Sequence, residues 1–460
     1  PYARALHGLA ERDRDLRLEP RVAEFRVELR LLAEAIALWT RLRSRSILAA
    51  FVLPLRAAFW AHDLAVVSAL MQIGLALPMV LYFHRVSLTA AAANLPVALL
   101  LNLSIPVGFA AILTGWSPAA TAAGWLLTSA GRVVDWHAAL EPQWRIPDPP
   151  AWLPAVVVAA LAACCFTVRA VRLPRALALT GLAAGAALLI AHPFTPRLAT
   201  SELEVSAMDV GQGDSMFVAT PEGKLLLVDG GGAGGGLDIG EDVVAPYLWS
   251  RSIQRLDVIA ATHAHQDHIG GLAALLENFR PAELWTGAFG ESRAWDSLRA
   301  EASRLGVRIV ELRHGRRLAL GGIGIDVLAP LESYTPARVA RNNDSLVLRL
   351  RHGRHSFLLT GDIDRQVEGE LLANGMLDRA DVLKVAHHGS RTSTGDAFLD
   401  RVRPSFAIIS SGAGNPYGLP HREVLRRLED RKSIVLRTDR HGLVSVLSDG
   451  KRLRVEMFRQ

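Results

Sequence analysis

THAHQDHIGGL, residues 262–272, places His263, His265, Asp267 and His268 within six positions. It overlaps the end of LDVIAAT, residues 256–262, a run that reads as a β-strand. A turn leaving a strand end can aim alternate side chains into one cleft. Imidazole and carboxylate in such a cleft are ligands for zinc, manganese or iron. Two metals close together need more ligands than these four. Other β-like runs end in suitable residues: Asp229 in VDGG, Asp362 in LLTGD, and His387 and His388 in LKVAHHGS. Which of the two adjacent histidines is a ligand stays open. Asp229 is open too, since a turn residue before glycines is a competing reading.

The grammar around this cluster is that of a layered α/β domain. From residue 203 on, short runs such as LEVSAMD, DSMFVAT, KLLLVD, SLVLRL, HSFLLT, ADVLKV and SFAIIS alternate with helical patterns near 268–277, 292–304, 364–373 and 421–430. GGGAGGG at 230–236 reads as a flexible loop. GQGDS at 211–215 joins two β-like runs, so a tight hairpin is expected rather than a phosphate cradle, with Asp214 able to face the cleft. The adjacent Cys164 and Cys165 have no C-x-x-C pattern and read as small core residues.

The first part of the chain is different. Half of all 460 residues are hydrophobic, and the mean hydropathy is +0.22. Residues 1–200 hold 18 Arg, no Lys and 11 acids, whereas residues 201–460 hold 33 Lys and Arg against 34 acids. A basic excess beside apolar runs points to membrane anchoring before nucleic-acid binding. Residues 1–63 are expected to form amphipathic helical segments of a truncated region. Within them, Val22, Phe25, Leu29, Leu32, Ile36 and Trp39 make an apolar stripe that lies on a membrane or packs on a neighbour. Residues 64–196 are expected to cross a membrane about five times, near 64–83, 87–113, 117–132, 151–168 and 176–195, with 46–62 interrupted by Arg56. Arg41, Arg43 and Arg45 precede these spans, and Arg169, Arg172 and Arg175 lie between the last two. Placing both clusters in the cytoplasm puts everything after residue 196 outside. Pro78, Pro96 and Pro106 with Asn94 and Asn102 suit either kinked helices joined by hydrogen bonds or broken helices lining a polar path. The chain begins at Pro1 and reads as a fragment of a longer protein.

H-x-H-x-D-H with a preceding Asp, a later Gly-Asp and a final His resembles the metallo-β-lactamase superfamily, which implies a four-layer αβ/βα sandwich over residues 203–460. MDVGQGDS at 208–215, NNDSLVLRL at 342–350, FLLTGD, LKVAHHGS and NPYG at 415–418 resemble the C-terminal domain of the ComEC family. Those proteins are bacterial inner-membrane channels for DNA uptake in natural transformation. LALPMVLYFHRVSLTAAAANLPVALL resembles that family's competence domain. The resemblance implies a multi-pass protein of the inner membrane with its metal domain on the extracytoplasmic side. It also implies DNA, membrane lipid and other competence proteins as partners.

Carried over residue by residue, His263 and His265 would hold one Mn²⁺ or Zn²⁺. Asp267 and His268, with His387 or His388, would hold a second, and Asp362 would bridge them. Asp229, and with it Asp214, would stand behind the ligands, Asp229 orienting a histidine. Two metals suit phosphodiester hydrolysis, activating water and stabilising charge on phosphorus. Asp267 and His421 would then be catalytic. Two departures stand out. No histidine of the third motif precedes LLTGD in the usual way: His352 and His355 read as a hairpin turn, and Asn343 and Ser345 occupy the region as substitutes. GLPH at 418–421 has Leu419 where a histidine is common, leaving His421 as phosphate contact, general acid or simply the start of a helix. Lys384 and Arg391 are candidates for holding phosphate, with surface solvation as the ordinary alternative. A DNA-guiding domain without catalysis, and a tethered hydrolase of another phosphoester, are the competing functions.

Overall fold

The computed structural model describes residues 2–87, 89–140, 145–167, 172–232 and 236–458. Arg169 and the centre of the glycine run, 233–235, lie outside the described residues. The chain divides into two units, residues 1–143 and 144–460.

The first unit is helical: α1 (Tyr2–Ala5), α2 (Pro20–Thr40), α3 (Ser44–Phe83), α4 (Ala90–Thr114) and α5 (Ser117–Leu140). Pro20 opens α2, where its missing N–H costs nothing, and Arg41 ends it in the left-handed conformation. The expected apolar stripe packs on a neighbour only at its start, where Phe25 meets Tyr2 and Phe59. Val22, Arg26, Arg30 and Ala33 are buried, whereas Leu32 and Trp39 are exposed, Trp39 to 90%. Burying two guanidiniums is possible because Asp15 and a row of free carbonyls face them. Arg26 donates to the Asp15 carboxylate at 2.6 Å and to the carbonyls of Ala5, His7, Gly8 and Glu11, which accounts for its five N–H groups. Arg30 donates to the Leu9 carbonyl at 3.0 Å and pairs with Asp15.

The segments 46–62 and 64–83, read separately in the sequence, are one helix. α3 runs through Arg56 and through Pro54 and Pro78. At 1.5 Å per residue its 40 residues extend roughly 60 Å, about twice a hydrocarbon core. α4 likewise continues past Pro96 and Pro106, so neither helix is broken, and Asn94 and Asn102 are exposed on α4. In the second unit α6 (Trp152–Thr167) and α7 (Arg172–Ala191) form a hairpin packed through small residues: a Cβ on Gly185 would stand 2.9 Å from the Val157 Cγ2 atom. Three helices among the described residues are long and apolar enough to cross a membrane, α3, residues 92–114 of α4, and α7, against the five spans expected. α6 is shorter, and α5 carries Arg132, Asp135 and His137 in its second half. The chain is thus a membrane protein by length and composition of its helices.

The sheet-rich part has two sheets. The first has the order β15-β14-β1-β2-β3-β4-β5-β6, with β1 (Leu203–Ala207), β2 (Met216–Ala219), β3 (Leu225–Val228), β4 (Val258–Ala261), β5 (Glu283–Thr286), β6 (Arg308–Glu311), β14 (Leu443–Ser448) and β15 (Leu453–Phe458). The second has the order β13-β12-β11-β10-β9-β8-β7, with β7 (Arg317–Leu320), β8 (Ile323–Ala329), β9 (Val347–His352), β10 (His355–Leu359), β11 (Val382–Lys384), β12 (Phe406–Ile409) and β13 (Ile434–Arg437). One core fills the space between the sheets, from Val205, Val218, Leu226 and Ala260 on one side to Ile325, Leu348, Phe357 and Val382 on the other. A second core covers the outside of the first sheet with α8 (Ala245–Ser250), α10 (Leu272–Phe279) and α11 (Arg293–Arg304). The short α9 (Gln266–Ile269) precedes α10. A third covers the outside of the second sheet with α12 (Arg365–Ala373), α13 (Asp396–Val402) and α14 (Arg422–Asp430). α15 (Thr438–His441) links β13 to β14. This is the expected four-layer αβ/βα sandwich.

Each sheet is part parallel and part antiparallel. β3 to β6 are parallel, as are β10 to β13. The inner ones, such as β3, β4 and β12, are apolar on both faces because helices cover one side and the opposing sheet the other. The loops leaving β3, β4, β10 and β11 therefore emerge together at carboxyl ends of parallel strands, the usual place for a ligand in such sheets.

Candidate metal centre

Those four loops carry the predicted cluster. Asp229 follows β3, the histidine motif follows β4, Asp362 follows β10, and His387 and His388 follow β11. Ligand atoms of His263, His268 and Asp362 all lie within 4.8 Å of one another, as do those of Asp267, His268 and His388, and those of Asp214, Asp362 and His388. His263 Nε2 and His265 Nδ1 are 3.0 Å apart. The Asp362 Oδ2 atom faces His268 Nε2 at 3.2 Å and His388 Nε2 at 3.5 Å.

The histidines are aimed from behind. Asp229 accepts from the Thr262 amide and hydroxyl, each at 2.7 Å, and pairs with His268 Nδ1 at 2.8 Å. His388 Nδ1 donates to the Ser410 carbonyl at 3.1 Å, and His265 Nε2 to that of Ala340 at 3.2 Å. In each ring the bond fixes which nitrogen is left for the centre. The Nε2 atoms of His268 and His388 are buried and have no hydrogen-bond partner. Buried polar nitrogens without partners are costly, and here both point at carboxylates. A divalent ion between them answers both groups, so the donor set fits one.

His388 rather than His387 meets the cluster. His387 takes the other direction, its ring within 3.2 Å of Asn342 Nδ2 while its amide donates to Asp362 Oδ1 at 3.2 Å. Both residues adopt positive φ, which turns successive side chains apart. GQGDS is not a tight hairpin. β1 and β2 are antiparallel neighbours, but the loop 208–215 is pulled down so that the Asp214 amide donates to the Asp267 carbonyl at 3.2 Å. Gly213 allows this approach, since a Cβ there would stand 2.4 Å from the same carbonyl.

Lys384 corrects a sequence expectation. It is 2% exposed and reaches no surface phosphate. Its Nζ donates to the Gly361 carbonyl at 2.9 Å and pairs with Asp362 at 3.3 Å and with Asp214. β11 ends beside the site, so its last side chain meets two carboxylates and a backbone carbonyl. Asn343 and Ser345 do not replace a third histidine. Asn343 clasps Asp364, donating at 2.9 Å and accepting from its amide at 3.1 Å. Ser345 accepts from the Asp362 amide at 3.0 Å, supporting that residue's backbone. His352 and His355 pack beside Ser448 in the β9–β10 hairpin. Neither they nor His314 belong to a cluster of ligating groups among the described residues. His421 starts α14, its Nδ1 accepting from the Glu423 amide at 3.3 Å. Arg391 is exposed. Thr262, Asn342 and Ser410 were missed by the sequence reading, because their parts depend on backbone atoms and directions that residue types do not carry.

Electrostatics divide the site. Burial would raise the Asp214 carboxyl, but the Lys384 ammonium and His388 outweigh it and hold it down at about 2. Burial would lower His388, and Asp362 and Asp214 reverse this, raising it to about 10. His268 is raised in the same way by Asp362 and Asp229. His263 is instead pushed down by burial and by the neighbouring His268. His263 is thus held neutral, whereas His268 and His388 are raised by the carboxylates they face.

Comparison with known proteins agrees with this arrangement. Residues 208–412 match the metallo-beta-lactamase superfamily, and residues 31–171 match the competence protein family. The fold and site thus define a hydrolase-superfamily domain, of a group that binds divalent metals, preceded by a competence domain. ComE operon protein 3 of Bacillus subtilis is 39% identical over 258 residues, covering 53% of this chain and 33% of that protein. Competence protein ComA of Neisseria gonorrhoeae is 29% identical over 364 residues, 77% of this chain and 48% of that protein. The chain is thus similar to ComEC-type competence proteins in both its competence-family region and its metallo-β-lactamase region. It spans about a third to a half of the length of these relatives. Among solved structures it is similar to the metallo-beta-lactamase fold protein YhfI from Bacillus subtilis, with TM-score 0.37 and 12% identity over 53% of this chain and 99% of that one.

Proposed function

We propose that this chain is part of a DNA-uptake channel of the bacterial inner membrane, and that its sheet-rich domain is a metal-dependent nuclease on the extracytoplasmic side. In this reading the domain hydrolyses the strand that is not transported, and the other strand passes as single-stranded DNA. The observation that carries it is the convergence of His263, His268, Asp362, Asp267 and His388, with two buried imidazole nitrogens that face carboxylates without a hydrogen bond. His263 and His265 would hold one Mn²⁺ or Zn²⁺. Asp267, His268 and His388 would hold a second, with Asp362 between. Such ions, when bound, activate water near neutral pH and stabilise charge on a phosphoryl group. Asp229 keeps the His268 ring in place, and Ser410 does the same for His388. Lys384 holds Asp362 Oδ1, so that Oδ2 stays turned toward the histidines. Asp267, whose side chain is partly exposed, would take a proton from an attacking water.

The proposed orientation tolerates the lower span count. Three is odd, like five, so Arg41, Arg43 and Arg45 still share a side with Arg172 and Arg175. Asn94, Asn102 and Pro96 remain candidates for a polar path, with the prolines as kinks rather than breaks. A metal-binding guide that does not cut is the second reading. It is favoured by the lack, among the described residues, of a third-motif histidine in any ligating cluster.

The test is cleavage of linear DNA by the full chain in detergent, with added Mn²⁺ or Zn²⁺. The His265→Ala, Asp267→Ala double variant is the control. Cleavage that needs metal and disappears in the variant is expected. A folded, metal-loaded chain that leaves DNA intact with either ion would move the assignment to the guide.

A further inference from the structure

We infer that two pairs of exposed arginines, Arg338 with Arg341 and Arg365 with Arg391, form a clamp for the sugar-phosphate backbone on either side of the metal cluster. The inference rests on the proposed reading of the site as one that takes nucleic acid, and it names how the polyanion is held.

The first pair is fixed to the imidazole end. Ala340 lies between Val339 and Arg341, and its carbonyl accepts from His265 Nε2 at 3.2 Å. The segment is held rather than loose. Asp344, fully buried, accepts from the Arg341 amide at 2.8 Å and the Tyr334 hydroxyl at 2.6 Å. Val339 bridges Glu291, and a Cβ on Gly290 would stand 2.4 Å from the Ala337 carbonyl. On this built tip the Arg338 side chain is 89% exposed, with one exposed partner, Glu291, at 3.5 Å. Such a surface pair holds an arginine weakly and yields to a better anion. Arg341 is exposed as well.

The second pair is fixed to the carboxylate end. Arg365 opens α12 three residues after Asp362, and its Nη2 donates to the Arg391 carbonyl at 3.0 Å. Its amide donates to the Thr392 carbonyl at 3.0 Å. Arg391 itself follows the turn that carries His387 and His388. Both side chains are exposed. The Asn343–Asp364 clasp ties the loop of the first pair to the start of the second. That clasp gives Asn343 a purpose the metal does not.

Each pair is thus joined through the backbone to one end of the cluster. Guanidiniums match phosphate geometry and stay charged at any relevant pH. A chain of phosphates laid across the cluster meets cations before and after the bond to be cut.

The test is binding of a fluorescein-labelled 20-nucleotide single-stranded DNA to the full chain in detergent, read by anisotropy against salt with chelator present. Arg338→Gln, Arg341→Gln and Arg365→Gln, Arg391→Gln are each expected to weaken binding about tenfold. Each should lower the slope of log affinity against log salt by about 1.4, two contacts at about 0.7 each. Arg338→Lys, Arg341→Lys should keep most of the binding, which separates charge from fold. Binding within twofold of wild type in both glutamine variants overturns the clamp. So does an equal loss in Lys451→Gln, Arg452→Gln, an exposed basic pair of the β14–β15 turn. Binding is read without turnover, so a chain that grips DNA but never cuts it would sink the nuclease and leave the clamp standing.

Discussion

Two buried charge clusters in this chain look alike in composition and differ in kind. In the helical unit, Arg26, Arg30 and Asp15 pair with one another, and every N–H of Arg26 has an acceptor. In the sheet-rich unit, Asp214, Asp229, Asp267, Asp362 and Lys384 surround histidines, yet His268 Nε2 and His388 Nε2 face carboxylates without a hydrogen bond. The first cluster is closed. Its charges answer each other and the free carbonyls of the preceding segment, so nothing further is required of it. The second turns its ligating groups toward one another with two imidazole nitrogens lacking a hydrogen bond, which suits an added cation. The difference teaches that buried charge alone does not mark a functional site. The unanswered atom inside it does.

The comparison can be broken at either cluster. His388→Ala should have the largest effect. Loss of this ligand is expected to cost more than the roughly 100-fold that loss of a supporting partner costs, measured as hydrolysis of bis(p-nitrophenyl) phosphate. His387→Ala should cost tenfold at most, since its ring turns to Asn342. Equal losses in both variants would mean that the two histidines share the site. At the closed cluster, Asp15→Asn should lower stability by roughly 1.5 kcal/mol, the low end for hydrogen bonds to a charged group, and leave hydrolysis unchanged. Arg30 and Arg26 hold the Asp15 carboxyl below its usual range. A depressed carboxylate contributes stability above its unfolded value, about 3.9, and that contribution is lost as pH falls through the folded value. The difference in thermal unfolding between wild type and variant should therefore shrink below about pH 4. A difference that is the same at pH 3 and pH 7 would show that the pair is not what holds the segment.

Much of the open cluster could be read from residue types at short spacing after a strand. Histidines and an aspartate packed into 263–268 have few other uses, and Asp362 and the histidine pair end strands of their own. Lys384 was misread because motif reasoning treats a lysine near phosphate chemistry as a surface cation. The apolar run ADVLKV was the available signal, since a lysine inside a fully buried strand must be paired. Asn343 and Ser345 sit in a loop whose direction no spacing rule sets, and only the backbone turns one to Asp364 and the other to Asp362. The helical unit was legible as helix but not as packing. The apolar stripe of α2 gave way to Arg26 and Arg30 because Asp15 and the carbonyls ahead of it, in a segment without apolar periodicity, supply partners no pattern reveals. Strands such as β6 and β7 escaped because Arg308, Glu311 and Arg317 make them as polar as loops.

The most direct test of the open cluster is its metal content. The full chain, the Asp362→Ala variant and the Asp15→Asn variant would be loaded with Mn²⁺ or Zn²⁺, dialysed and measured by inductively coupled plasma mass spectrometry. About two ions per chain are expected in the wild type and in Asp15→Asn, and less than one in Asp362→Ala. A wild-type chain that keeps less than one ion, or an Asp362→Ala chain that keeps as many as the wild type, would contradict the assignment of the cluster as a metal centre.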